Sequence, residues 1–159
     1  MKLNLRRMIT GWLLPVILVL MSLVAVSIYP RSAIADDFTK ATLGSVDFAG
    51  KDLTSFEFTQ ASVRGGKFTN ANLTGVSLIG GDFDSADFSG ANLTNAALDT
   101  TRLTRTNLTN TIFVGAFVTN TNFNGAIIDG ADFTDVLLRK DVQKLLCKVA
   151  KGTNPKTGR

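Results

Sequence analysis

Histidine is missing altogether from the 159 residues, and cysteine, tryptophan and tyrosine each occur once. Without histidine the chain lacks the commonest general base at neutral pH and the commonest metal ligand. A single cysteine, Cys147, cannot build an internal disulfide framework. No phosphate-cradling glycine loop, metal-ligand cluster or nucleophile–base pair stands in the sequence. These absences nominate no catalytic residue, no cofactor and no metal site, and they point away from an enzyme with a small-molecule substrate.

What the chain has instead is a period of five. Every fifth residue from Phe38 to Leu138 is apolar, through Phe58, Leu78, Leu98 and Val118 to Leu138, for 21 consecutive positions. With 45% hydrophobic residues, such a run arises by chance less than about once in a million. On an α-helix five steps of ~100° would scatter these side chains around the cylinder. On a flat strand an odd spacing sends successive ones to opposite faces. The backbone must therefore turn a corner once per repeat. The position two before each centre is mostly small, as in Ala41, Ala61, Gly66, Ala71, Gly81, Ala86 and Ala91, which leaves room inside a narrow tube. The two positions after each centre are rich in Thr, Ser, Asn, Asp and Gly, the residues of tight turns.

In full the repeat reads Ala-Asn-Leu-Thr-Gly at 71–75, Ala-Asp-Phe-Ser-Gly at 86–90 and Ala-Asp-Phe-Thr-Asp at 131–135. This resembles the pentapeptide-repeat family over about 100 residues. The resemblance implies an all-β fold, a right-handed quadrilateral β-helix with four pentapeptides per coil. Twenty-one repeats would make about five coils, a rod roughly 25 Å long at the usual inter-strand spacing, with a short C-terminal capping α-helix.

Three segments follow. Residues 1–35 read as a signal peptide: Lys2, Arg6 and Arg7 precede an apolar run from Met8 to Ile28, and Ser32-Ala33-Ile34-Ala35 supplies a cleavage site after Ala35. The Arg6-Arg7 pair invites a twin-arginine reading, but its flanks match poorly and general secretion is the expectation. The competing reading is an uncleaved anchor, since about 20 apolar residues just span a bilayer. Residues 36–138 are the pentapeptide-repeat β-helix. Residues 139–159 are the capping helix and basic tail, with Asp135 as its N-cap and Gly152 as its stop before Pro155. Charge divides along the same lines, as +4 in 1–35, −6 in 36–138 and +6 in 139–159.

Departures from the repeat mark the candidate contact surfaces. Lys51 and Phe56 stand where small residues belong, which suits an open N-terminal end. Ile112, Val114, Phe117 and Ile127 fall at outward positions otherwise held by polar residues, so they form a candidate interaction surface unless the C-terminal helix covers them. Carboxylates on the outward faces, one coil apart, could in principle form a catalytic pair, but a solenoid wall offers no cleft to desolvate them. They read as a solvated face.

The tail from Leu146 to Gly158 is similar to the ending of thylakoid-lumen pentapeptide-repeat proteins of cyanobacteria and chloroplasts. Those relatives continue to a second cysteine, whereas here the chain stops at Arg159, so a thiol or disulfide role for Cys147 stays open. The expected function is a non-catalytic protein-interaction or assembly module, in the thylakoid lumen or periplasm after cleavage, with an unidentified protein partner. Membrane contact is expected only through an uncleaved signal segment. The alternative implied by the resemblance is an acidic nucleic-acid mimic that inhibits a DNA enzyme such as gyrase. The export signal and the basic tail argue against that, and against nucleic acid as a partner. Intact-mass measurement on protein from its native host should give a species beginning at Asp36; one still beginning at Met1 would establish the tethered form.

Overall fold

The structure is a computed structural model and describes residues 36–159. The expected signal peptide and its cleavage site after Ala35 lie outside the described residues. Within them, isolated parallel bridges join residues 20 apart, such as Asp47 to Lys67, Lys67 to Asp87, Asp87 to Asn107 and Asn107 to Ile127. Four sets of such bridges, offset by five residues, make four walls of a tube in which each coil consumes four pentapeptides. Each bridge residue donates its N–H to the coil before it and accepts from a centre of that coil, as in Ser62 N to Ala41 O (2.8 Å) and Leu43 N to Ser62 O (2.9 Å).

The corners follow from local chemistry. The second residue after a centre adopts positive φ at nearly every repeat, near +56° in Asn70 and Asn95 and +66° in Gly80 and Gly115. Asparagine and glycine tolerate that region best, which accounts for their abundance there. The turn closes by a bond such as Ala71 N to Phe68 O (3.0 Å). At many bridge positions an Asp or Asn carboxyl or amide oxygen also accepts the N–H two residues on, as Asp87 does from Ser89 (2.9 Å), the Asx pattern of turns.

Each corner points a centre inward, and 17 of the 21 centres are buried. The other four, Phe38, Leu43, Phe133 and Leu138, lie at the two ends and are half-buried against the core. Side chains stack by coil: Phe68 lies on Phe88 with ring centroids 4.6 Å apart and planes 3° from parallel. Phe113 lies on Phe133 in the same manner at 4.8 Å. The small residues before the phenylalanines are sterically required, because a Cβ on Gly81 would come within 2.5 Å of the Phe83 ring. Later coils place threonine in that position. Thr101, Thr111 and Thr121 are buried, and their hydroxyls donate to the carbonyls of Leu78, Phe88 and Leu98 at 2.6–2.8 Å. The cost of burying a hydroxyl is thereby met by a hydrogen bond. Lys51, in the same register at the first coil, is exposed, with its ammonium 5.7 Å from the Phe48 ring centroid.

The C-terminal segment differs from the expected one. Helix α1 spans Lys140–Val149, and its N-cap is Arg139, which makes no side-chain cap. Asp135 is not the cap, because it forms the last left-handed corner of the repeats (φ 58°). Val136, Leu137 and Leu138 therefore precede the helix, outside it. Gly152 is not the stop either: the helix ends three residues earlier, where Ala150 turns extended. Replacing Phe88 by alanine removes a fully buried ring from the middle of the stack. That change should lower unfolding free energy by about 3–5 kcal/mol in urea titration, with cooperative unfolding retained.

Candidate functional site

The C-terminal end of the tube holds most of what departs from the repeat. α1 lies over the last coil through Leu146, its one buried residue, with Val142 half-buried beside it. Between the helix and the last coil runs an apolar hollow of about 390 Å³, lined among others by Ile128, Phe133, Val136, Leu138, Leu146 and Cys147. Cys147 is exposed at its rim as a free thiol.

Beyond α1 the chain turns back along the outside of the rod, an arrangement not visible in the sequence. Lys151 O accepts from Gly130 N (2.6 Å), Asn154 Nδ2 donates to Asn110 O (3.0 Å), and Lys156 Nζ donates to Gly90 O (2.7 Å). Those three partners are 20 residues apart, so the tail descends one column of corners. Asn154 anchors it: the residue is fully buried, and its Oδ1 accepts from Lys156 N (2.9 Å) and Thr157 N (3.2 Å). Asp132 receives the end of the tail. Burial alone would raise its carboxyl, but hydrogen bonds from Thr134 and Thr157 and the Arg159 charge hold it below the usual carboxylate range.

Phe117 and Ile127 stay largely exposed beside the tail and helix, so the C-terminal segment does not cover the whole outward apolar set. Phe117 is 61% exposed and Ile127 54%, while Ile112 and Val114 are half-buried. Nor do the four form one surface. Phe117 bridges to Ala97 on one wall and Ile127 to Asn107 on another. They are ten residues and two corners apart, on opposite walls. Ile112, on the wall that ends at Asp132, meets Phe117 around a single corner carried by Val114. Counting fives separates Ile127 from Phe117 and puts it around the other corner from Ile112, where the tail runs. The structure adds Leu137, 93% exposed, which shares with Phe117 a small hollow of about 110 Å³ beside Val118 and Asp135. The candidate surface is thus Ile112, Val114, Phe117 and Leu137, with Ile127 apart.

Two carboxylates among the outward acids are not solvated: Asp132 under the tail, and Asp84. Asp84 is 4% exposed and sits at a corner between two guanidiniums. Arg64 Nη2 lies 3.1 Å away on the coil before, while Arg105 and the Thr104 hydroxyl donate from the coil after. The Thr104 bond, together with those from the two arginines, lowers its pKa to about 2 against the opposing effect of burial. The other cross-coil pairs are looser, at 3.9 Å for Lys67–Asp47 and 4.0 Å for Arg102–Asp82, and exposed on at least one side. Such pairs contribute little. Among the described residues no cluster of His, Cys, Asp and Glu has the grouping of a metal site.

The coil geometry and its repeat identify the family. The Pentapeptide repeats family model matches residues 37–75, 67–105 and 101–139, in eight copies. The chain belongs to this family. A crystal structure of a pentapeptide repeat protein from the thylakoid lumen of Arabidopsis thaliana is similar at 38% identity and a TM-score of 0.73, covering 83% of this chain and 89% of that one. A second, from the cyanobacterium Cyanothece, shares the fold at 21% identity and a TM-score of 0.54, over 62% of this chain and 65% of its own. No curated protein sequence matches the chain.

Because Asp84 has a depressed folded pKa, its contribution to stability is complete above about pH 4 and is lost as pH falls toward about 2. Asp84→Asn should lower the melting temperature at pH 7, and the gap to wild type should narrow as the pH of the melt approaches 2. Thermal unfolding by circular dichroism at pH 7, 4 and 2 measures both effects.

Proposed function

We propose that this is a non-catalytic protein-interaction module that works in the thylakoid lumen, or in a periplasm, once residues 1–35 are removed. About five right-handed coils would form its scaffold. The observation that carries the reading is the Ile112–Val114–Phe117–Leu137 surface. A filled tube with polar walls presents there an apolar corner at which Phe117 and Leu137 stay largely exposed. Exposed apolar groups side by side on an otherwise polar wall are a recurrent mark of protein contact. The lumenal location is supported by the origin of the Arabidopsis relative and by the export features of the first 35 residues.

The chain's lack of histidine, the commonest general base, supports the non-catalytic part. Among the perturbed carboxylates, Asp84 is held by two arginines and a threonine, which fixes it as an anion with its oxygens occupied. The nucleic-acid-mimic alternative fares less well on the charge pattern. A duplex mimic needs acids at regular intervals along a wall, whereas here the bridged columns read Asp47–Lys67–Asp87–Asn107–Ile127 and Thr42–Ser62–Asp82–Arg102–Asn122. Cations and neutral residues interrupt each.

Phe117→Glu replaces an exposed side chain and should change stability by less than about 0.5 kcal/mol. The same change should abolish recovery of the partner when processed protein is used as bait on intact membranes and their lumenal contents. Equal recovery by the Phe117→Glu and wild-type baits would remove this corner from the interface. Inhibition of gyrase supercoiling by the wild-type protein at ~0.15 M salt, where loose charge attraction is screened, would favour the mimic.

A further inference from the structure

We propose that the C-terminal end of the rod, formed by α1 and its flanks, is a docking surface for an anionic lipid bilayer. Lys140, Lys144 and Lys148 recur every four residues along one side of α1, and Lys151 follows just beyond the end of the helix. All four are exposed, and none is in an ion pair among the described residues. The other cations near this end are occupied. Arg139 is bound to Asp141 at 2.9 Å, and Lys156 is spent on the Gly90 carbonyl. Asp141 is the one acid between residues 139 and 159, and that ion pair neutralises it.

Aliphatic groups are interleaved with these lysines. Leu145 is 40% and Val149 45% exposed on α1. A capping helix would spend its whole apolar side on the last coil, but this coil fully buries only Leu146. A helix with exposed lysines and unburied leucine and valine matches the headgroup layer of a bilayer, where long lysine stems reach phosphates while aliphatic side chains enter the acyl boundary. Lysine is a flexible point charge, suited to many loosely placed phosphates rather than to one fixed carboxylate fork. Charge segregation sets the orientation. Residues 36–138 carry −6 against +6 in the tail, so an anionic surface attracts this end and repels the length of the rod. The corner at Phe117 would then face sideways, free for a partner.

Cys147 is the chain's single cysteine and is exposed on α1, so a polarity-sensitive fluorophore attached there reports on this end within the full chain. Sedimentation with vesicles would not do, because the apolar run at 8–28 can bind any bilayer. The probe should shift to the blue with vesicles of phosphatidylcholine containing about 30 mol% phosphatidylglycerol, and not with phosphatidylcholine alone. The shift should reverse at ~0.5 M salt. Each Lys→Gln change among Lys140, Lys144, Lys148 and Lys151 should raise the lipid concentration for half-maximal shift about fivefold, and Leu145→Ser should reduce its amplitude. An equal shift on neutral vesicles, no shift on either, or a shift retained by the fourfold Lys→Gln variant would overturn the proposal. So would the same shift on duplex DNA at equal phosphate concentration, or on raising protein concentration without lipid.

Discussion

Everything in this molecule depends on the corner at every fifth residue. A left-handed backbone two positions after each centre, at Asn70, Gly80, Gly90 or Asn95, turns the chain so that an odd spacing can face one way. Without it the period of five would send successive phenylalanines and leucines to opposite sides of a strand. With it, the centres meet in a tube and the bridge residues fall into vertical ladders. The requirement for positive φ selects the turn residues, and the width of the tube selects the small ones. Residues such as Lys40, Thr100 and Arg105 also adopt positive φ, at some cost, so the ladders on either side hold the corner even where the local residue does not favour it.

Because the corner is a local event repeated without a slip, the interior was legible in the sequence. Counting by twenties puts Thr42, Ser62, Asp82 and Arg102 on one wall and Asp47, Lys67 and Asp87 on another, as the bridges do. What was not legible involves contacts that no period carries. Thr101 and Thr111 break the small-residue rule, and only the three-dimensional stacking reveals Leu78 O and Phe88 O as acceptors 23 residues away. Asp84 reads as one more outward acid until the coils before and after bring Arg64 and Arg105 onto it. The return of the tail depends on Asn154 reaching Asn110, 44 residues earlier, and nothing in either residue announces the pairing.

The end of the rod illustrates a different limit. Apolar residues recurring at helical spacing from Val136 onward correctly announced a helix, but not where it starts. The last corner uses Asp135 in the left-handed region, and a residue committed to that corner cannot also cap a helix from extended backbone. The chain therefore needs Val136 to Leu138 to cross from the wall to the tube end before α1 begins at Lys140. Leu137, in the middle of that crossing, has neither the tube nor the helix to bury it. Its exposure is a geometric consequence of the transition between two periods, and it enlarges the apolar corner begun by Phe117.

A solenoid places its individuality at such transitions. Apart from the tail's bonds to Gly90 and Asn110, each interior coil contacts only the coils before and after it, so the walls between Leu53 and Leu108 can carry almost any polar residue without changing the core. Specific surfaces arise where the repetition stops, because there the backbone ladder needs new partners. Gly130 N finds its acceptor in Lys151 of the tail instead of a further coil, and the helix that precedes this tail carries Lys140, Lys144 and Lys148 to the same end. The need to terminate the ladder thus gathers charge, exposed aliphatic groups and an uncovered corner at the same end of the rod. Substitutions within the middle coils should consequently act on stability, while those from Ile112 onward should act on what the molecule binds.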